Sequence, residues 1–346
     1  MIDLRDGDST LSLDPILGNI PHWQVGARRP LHSAPWRDEP AVQADPKIPM
    51  VNKRLAGDFF CMPFGHDDVA GDPIHGHPAN SAWDVIHQDA ALAHLSLTVP
   101  VRGARVEKTV QIAGAALYQT HQITGGTGAV SFAHHPMARM AAGGRLSFSP
   151  KRAALTDPDP QYAGHGLWAL NQTRPDLHLS RCDTPGLWDL RDYPAAHPVE
   201  DFCLLVEAEG ATLGWTVLMR HAEDDMLVVL KDARTQPVTM LWVSNGGRDF
   251  SPWNGRHTGV IGIEDGCAAG GGGLARALGP NRVTAFGVPT ALPLGPRHTI
   301  RHAMMSLPRP AGWSDVTGIT LDKGQITLTE IGGQSVSHPF ETGFFQ

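Results

Sequence analysis

Apolar and polar residues alternate along much of this chain, and elsewhere they gather into short apolar blocks. Residues 95–101 and 105–112 alternate, and 117–123 follow after a Gly-Ala turn. A period of two places successive side chains on opposite faces of a strand. A short run at 129–133 ends at His134 and His135, and 146–149 is a further short strand. Strands resume at 202–207, 212–219, 226–230 and 238–243. The tail adds 283–288, 299–304, 318–321 and 325–329, with Asp322-Lys323-Gly324 as a hairpin turn. Near the N-terminus, 10–13 and 23–25 read as short strands, and 28–49 as a Pro- and charge-rich wrapping arm. Residues 59–64 form an apolar stretch between Gly57 and Gly65, and 67–73 form a turn. Residues 150–198, rich in Pro, Asp, His and Trp, read as long loops. No stretch sustains a 3.6-residue period long enough for a helical domain. Strands recurring every roughly 10–12 residues predict an all-β fold, a large antiparallel β-sandwich. The expected organisation is a single domain over 1–346, with an N-terminal arm at about 1–50 and a C-terminal strand extension at about 310–346.

The chain is organised around residues 242–267. An apolar run enters, a loop rich in Gly, Asn, Asp and Trp follows, and a second apolar run, 259–263, delivers Glu264 at its end. A rigid β scaffold presents a catalytic or binding group at its rim in this way. Glu264-Asp265-Gly266 is equally good turn chemistry, so the acid alone decides nothing.

Composition narrows the classes. The 346 residues are 41% hydrophobic, enough for a large core, with a formal charge of −7 and no basic patch, so nucleic acid is not an expected partner. No apolar run approaches the length of a membrane span and no charged-then-apolar leader opens the chain, so a cytoplasmic protein without a membrane partner is expected. The four cysteines are scattered without a CxxC, which suits reduced thiols rather than a disulfide framework or zinc knuckle. The glycine run in 268–278 lacks the GK[ST] ending of a phosphate loop.

Polar residues concentrate at three strand ends: 74–85 with His75, His77, Asn80 and Asp84; 131–137 with His134-His135-Pro136; and Gly262-Ile263-Glu264. A His-Pro pair commonly just ends a strand, because proline holds its predecessor extended, but the same restriction fixes where an imidazole points. Because neighbours on a strand face opposite ways, only one of His134 and His135 enters a given cleft.

The order of these motifs resembles the aldose 1-epimerase, or galactose mutarotase-like, family, especially its hexose-phosphate branch. Phe59-Phe60-Cys61-Met62-Pro63-Phe64-Gly65 is similar to that branch's FP-x-x-G stretch. His75-Gly76 with Asn80 and Trp83-Asp84-Val85 is similar to HGFARN-x-PWEV, and His134-His135-Pro136-Met137 to HPYF. Trp253-Asn254 followed by Ile263-Glu264 resembles the tryptophan/asparagine loop and the EP strand, and 292–300 the L-x-PG stretch. The likeness runs over residues 59–304 and implies the galactose mutarotase-like supersandwich. The family's arginine after HG falls on Ala79, its aromatic after HP on Met137 and its proline after the glutamate on Asp265; its aspartate has no clear counterpart. Arg54, Arg139 and Arg256 are candidates to replace the arginine.

Mutarotation opens a sugar ring to the aldehyde and recloses it, so it requires a base at the anomeric hydroxyl and an acid at the ring oxygen, and no metal or organic cofactor. The resemblance implies Glu264 as base, His135 as acid and His75 as a hydrogen-bond donor to the substrate. It implies Trp253 stacked on the pyranose, with Asn254, Arg54 and Asn80 as further binding residues. The partner is then a small-molecule sugar, and a homodimer remains open. Two rivals stand beside this reading: a non-catalytic carbohydrate-binding protein on the same fold, and a cupin-like metalloenzyme using His75-Gly76-His77, whose imidazoles would share one face of a strand.

Overall fold

The computed structural model describes residues 1–182, 185–193 and 198–346. Among them, two eight-stranded antiparallel sheets face each other. The first, here the site sheet, runs Thr173–Arg174, Lys151–Thr156, Val199–Glu207, Val238–Asn245, Val260–Cys267, Phe132–His134, Phe60–Cys61, with Met137–Arg139 also paired to Val260–Cys267. The second, the back sheet, runs Gly144–Phe148, Leu213–Arg220, Asp225–Asp232, Leu292–Pro308, Ala116–Val130, Ala104–Ala113, Leu92–Leu97, Trp83–Gln88.

Alternation explains which strands lie where. Ala104–Ala113 reads buried-exposed along much of its length, as a half-covered strand should. Val199–Glu207, Val238–Asn245 and Val260–Cys267 are buried at every position, because both faces of the site sheet are covered. Leu205, Leu241, Val243, Ile261 and Ile263 point inward and meet Leu218, Leu227, Val229 and Met304 of the back sheet. Phe202, Met240, Trp242 and Val260 point outward and meet Trp36, Val51 and Leu55 of the N-terminal arm. Two short helices, Pro40–Ala44 and Met50–Lys53, lie in that arm. The outer face of the back sheet is covered by a three-stranded sheet, Val316–Asp322, Gln325–Glu330 and Ser335–Pro339, through Trp313, Ile326, Leu328 and Phe340. The chain has no helix, among the described residues, long and apolar enough to cross a membrane.

The structure departs from the sequence reading in particular places. Residues 283–288 contain a 3-10 turn, Thr284–Phe286, because the Asn281 carboxamide accepts the Val283 and Thr284 N–H groups and starts the turn. Ile2–Asp6 is a strand that the pattern does not suggest; it closes a three-stranded sheet with Ser9–Asp14 and Asn19–Val25. The 150–198 stretch begins with a full strand, Lys151–Thr156, hidden in the sequence because its first residue is a lysine. The side chain of that lysine is buried and paired with Glu207. Residues 183–184 and 194–197 of the stretch lie outside the described residues.

Candidate active site

A cavity of about 320 Å³ lies on the outer face of the site sheet. Its walls are aromatic and aliphatic, including Phe59, Phe64, Phe202, Trp242 and Trp253, and its polar groups include Glu264, His135, His75 and Arg248. Polar groups converging on an apolar, aromatic wall are the usual make-up of a small-ligand site.

Glu264 reaches the cavity because strand alternation sends it outward beside Met240, while Ile263 and Asp265 turn inward. Its carboxylate folds back over Gly262, where a Cβ would sit 2.8 Å from Oε1 and 3.2 Å from the Trp242 Cβ. Glu264 is 1% exposed. Oε1 lies 2.9 Å from His135 Nε2, and Oε2 is buried without a protein partner.

His135 follows the strand Phe132–His134 and precedes Pro136. Its ring stacks on Phe59 at 4.4 Å and meets His75 and Trp242 edge-on, each at 5.4 Å. Its backbone N–H donates to Asp58 Oδ1 at 2.9 Å, and its Nδ1 is buried and unpartnered. His134, by contrast, turns to the interior.

His75 sits in a left-handed turn (φ 64°), an uncommon place for a residue with a side chain. Gly76 follows at φ 73°, and a Cβ there would lie 1.9 Å from the Met62 carbonyl oxygen. The Gly65 N–H faces His75 Nδ1 at 3.4 Å, a long contact that leaves Nε2 as the nitrogen carrying the proton. Burial, followed by the charges of His135, His66 and Arg248, pushes the His75 imidazole well below its ordinary value. It is therefore a neutral donor at neutral pH. His77 lies in a 3-10 turn, His77–Ala79, 3.3 Å from Asp72, so His75 and His77 do not share a strand face and the cupin-like pairing fails.

The expected binding residues separate. Trp253 lines the cavity but is 1% exposed, packed edge-on against Trp36 and His257. The structure does not bring Arg54, Asn80 or Asn254 to the cavity wall. Arg54 is bound to Asp14 at 2.5 Å. Asn80 donates to the Ile74 and Gly76 carbonyls at 2.7 and 2.8 Å and so clamps the loop that carries His75. Asn254 is an exposed turn residue at φ 45°. Arg139 lies in another surface groove, and Arg256 is paired with Glu39.

Arg248 is the cavity arginine, and sequence reasoning passes over it. Its guanidinium lies 4.4 Å from the Trp253 ring and 5.2 Å from the Trp242 ring, and its Nε is 2.8 Å from Glu200 Oε1. Burial raises the Glu200 carboxyl despite Arg248 and the hydrogen bonds from Trp242 and Ser244. The available signal was the pair Glu200-Asp201 at the head of an apolar strand. At the mouth, Tyr162 donates to Asp249 and lies beside the half-exposed Phe250.

No family model and no curated protein matches this chain. Solved structures do. A candidate aldose 1-epimerase of Escherichia coli K12 has a TM-score of 0.60 at 13% identity, over 88% of this chain and 98% of that one. A galactose mutarotase related enzyme from Lactobacillus acidophilus has a TM-score of 0.56 at 11% identity, over 89% and 98%. A galactose mutarotase-like protein from Lactobacillus casei has a TM-score of 0.55 at 11% identity, over 88% and 99%. The chain has the galactose mutarotase-like β-sandwich fold.

Proposed function

We propose that this protein is an aldose 1-epimerase-like enzyme that interconverts the α and β anomers of a hexose or hexose derivative by general acid–base catalysis. The observation that carries the reading is the buried Glu264–His135 pair, 2.9 Å apart on the cavity wall, with Glu264 Oε2 left without a protein partner. A buried acceptor without a donor costs about 1–3 kcal/mol, so the pair is built for a donor that arrives with the ligand. The anomeric hydroxyl is such a donor.

In the ring-opening step Glu264 takes the proton from the anomeric hydroxyl, the C1–O5 bond breaks, and the protonated His135 gives a proton to O5. The product is the open aldehyde, with Glu264 protonated and His135 neutral. Rotation about C1–C2 and reclosure reverse both transfers, so the protein ends as it began. For this the substrate hydroxyl must separate two groups that stand 2.9 Å apart. His75, neutral and protonated on Nε2, donates to a substrate oxygen as charge develops. Arg248 takes the part that the family motif gives to an arginine at position 79, and the Trp242–Trp253 corner forms the apolar wall.

A carbohydrate-binding protein without catalysis is the second reading, favoured by the closed Glu264–His135 contact. Polarimetry over a panel of aldoses tests both. Faster anomer exchange that Glu264→Gln abolishes supports the enzyme; sugar-dependent tryptophan fluorescence without faster exchange supports the binder.

A further inference from the structure

The inward face of the site sheet carries a buried ionic array one residue away from each proposed proton-transfer group. Asp58 is fully buried. Its Oδ1 accepts the His135 backbone N–H at 2.9 Å, while Oδ2 accepts Gln119 Nε2 at 2.5 Å and lies 3.3 Å from His134 Nδ1. The His134 ring stacks on His302 of the back sheet at 4.1 Å, with 10° between the planes. His302 Nε2 lies 3.4 Å from Asp265 Oδ2, a close approach without a hydrogen bond. Asp265 Oδ1 is held by Thr239 at 2.7 Å and Lys231 at 3.0 Å, and Lys231 also meets Glu207 at 2.9 Å.

Asp58, His134 and His302 offer three potential metal ligands, all buried and close together. Their geometry speaks against an ion. A metal takes an imidazole lone pair in the plane of the ring, and two parallel rings 4.1 Å apart have no common plane in which one ion could sit. The charges also close without one, since Asp58, Asp265 and Glu207 stand against Lys108, Lys151 and Lys231.

We propose that Asp58, His134, His302 and Asp265 are positioning residues that lock His135 and Glu264 in register across the sandwich. The proposal rests on the acid–base reading above. Asp58 grips the backbone of His135 directly. Asp265 grips the strand one residue beyond Glu264. The stacked imidazoles pack between the two through the back sheet, so a shift of either element disturbs the other. Reactive geometry lost by about 1 Å can lower a rate roughly 10²-fold.

The test compares Asp58→Ala, Asp58→Asn and His302→Gln. For each, circular dichroism and thermal melting establish the folded state. Anomer exchange gives kcat and KM, and ¹⁵N NMR of labelled histidine follows His135 Nε2 in sugar-free protein. Asp58→Ala is expected to lower kcat about 10- to 100-fold with KM within about twofold, and to move the His135 Nε2 resonance toward that of a free imidazole. Asp58→Asn keeps the oxygen that accepts the His135 N–H and is expected to recover most of both. His302→Gln is expected to lie between them, and with Asp58→Asn it carries the test should Asp58→Ala not fold. A folded Asp58→Ala or His302→Gln protein with an unmoved resonance and unchanged kcat overturns the proposal. Should the wild type not exchange anomers, the NMR comparison decides the positioning claim by itself.

Discussion

Glu264 and Asp265 are neighbours on one strand, equally buried, and face opposite ways. Glu264 looks out into an aromatic cavity with one oxygen on His135 and the other unpartnered. Asp265 looks in, with Oδ1 held by Lys231 and Thr239 and Oδ2 3.4 Å from His302 without a hydrogen bond. His135 and His134 repeat the contrast on the adjacent strand. Burial would raise the Asp265 carboxyl, but Lys231, His302 and Thr239 hold it well below the usual carboxylate range. Asp58 behaves alike, burial being overcome by His134, His302 and Lys108. Burial alone therefore does not make a reactive group. An inward acid set against a lysine ammonium is a structural element, and an outward acid facing a cavity can do chemistry.

The sharpest way to break this comparison is to neutralise each face in turn. Glu264→Gln should lower anomer exchange by roughly 10²–10⁴-fold with little change in melting temperature, read by polarimetry and calorimetry. Lys231→Met should do the opposite. It leaves Glu207 and Asp265 facing each other with fewer counter-charges, and the loss should approach about 3–5 kcal/mol in urea unfolding. A Glu264→Gln protein that keeps its rate, or a Lys231→Met protein that keeps its stability, would erase the distinction between the faces.

Acid pH sharpens it further. Burial, with cationic neighbours second, pushes His134 and His32 down to about 4, and His121 and His257 well below their ordinary 6.5. Each binds its proton more readily when unfolded. The stability they contribute is therefore complete above about pH 6.5 and is lost as pH falls toward about 4. Each adds up to about 1.4 kcal/mol per pH unit in that window. Urea midpoints should fall steeply between pH 6.5 and 4.5, and a flat profile would contradict the buried neutral histidines. The smallest effect is expected at Arg248→Gln. It should raise KM several-fold at nearly constant kcat, since Arg248 lies in the cavity wall and takes no proton in the proposed step.

How much of this was legible in the sequence follows from the range of each interaction. Local period and punctuation mark Glu264, at the end of an apolar run, and His135, fixed by Pro136. The same rule of alternation sends His135 and His134 to opposite faces, as the structure has them, because it depends only on the pleat. Arg54 misleads because its partner, Asp14, lies 40 residues away. Arg248 goes unnoticed because Glu200 and the two tryptophans meet it only after the sheet has formed. Asp58 and His302 carry no motif and become informative only when the two sheets face each other.

Saturation-transfer NMR between the anomeric protons of an aldose panel tests the central claim most directly, with wild-type protein beside Glu264→Gln and His135→Asn. The account predicts transfer between the α and β signals of at least one sugar with the wild type, and near-background transfer with both variants. Transfer that persists in both variants, or is absent from every sugar with the wild type, would contradict it.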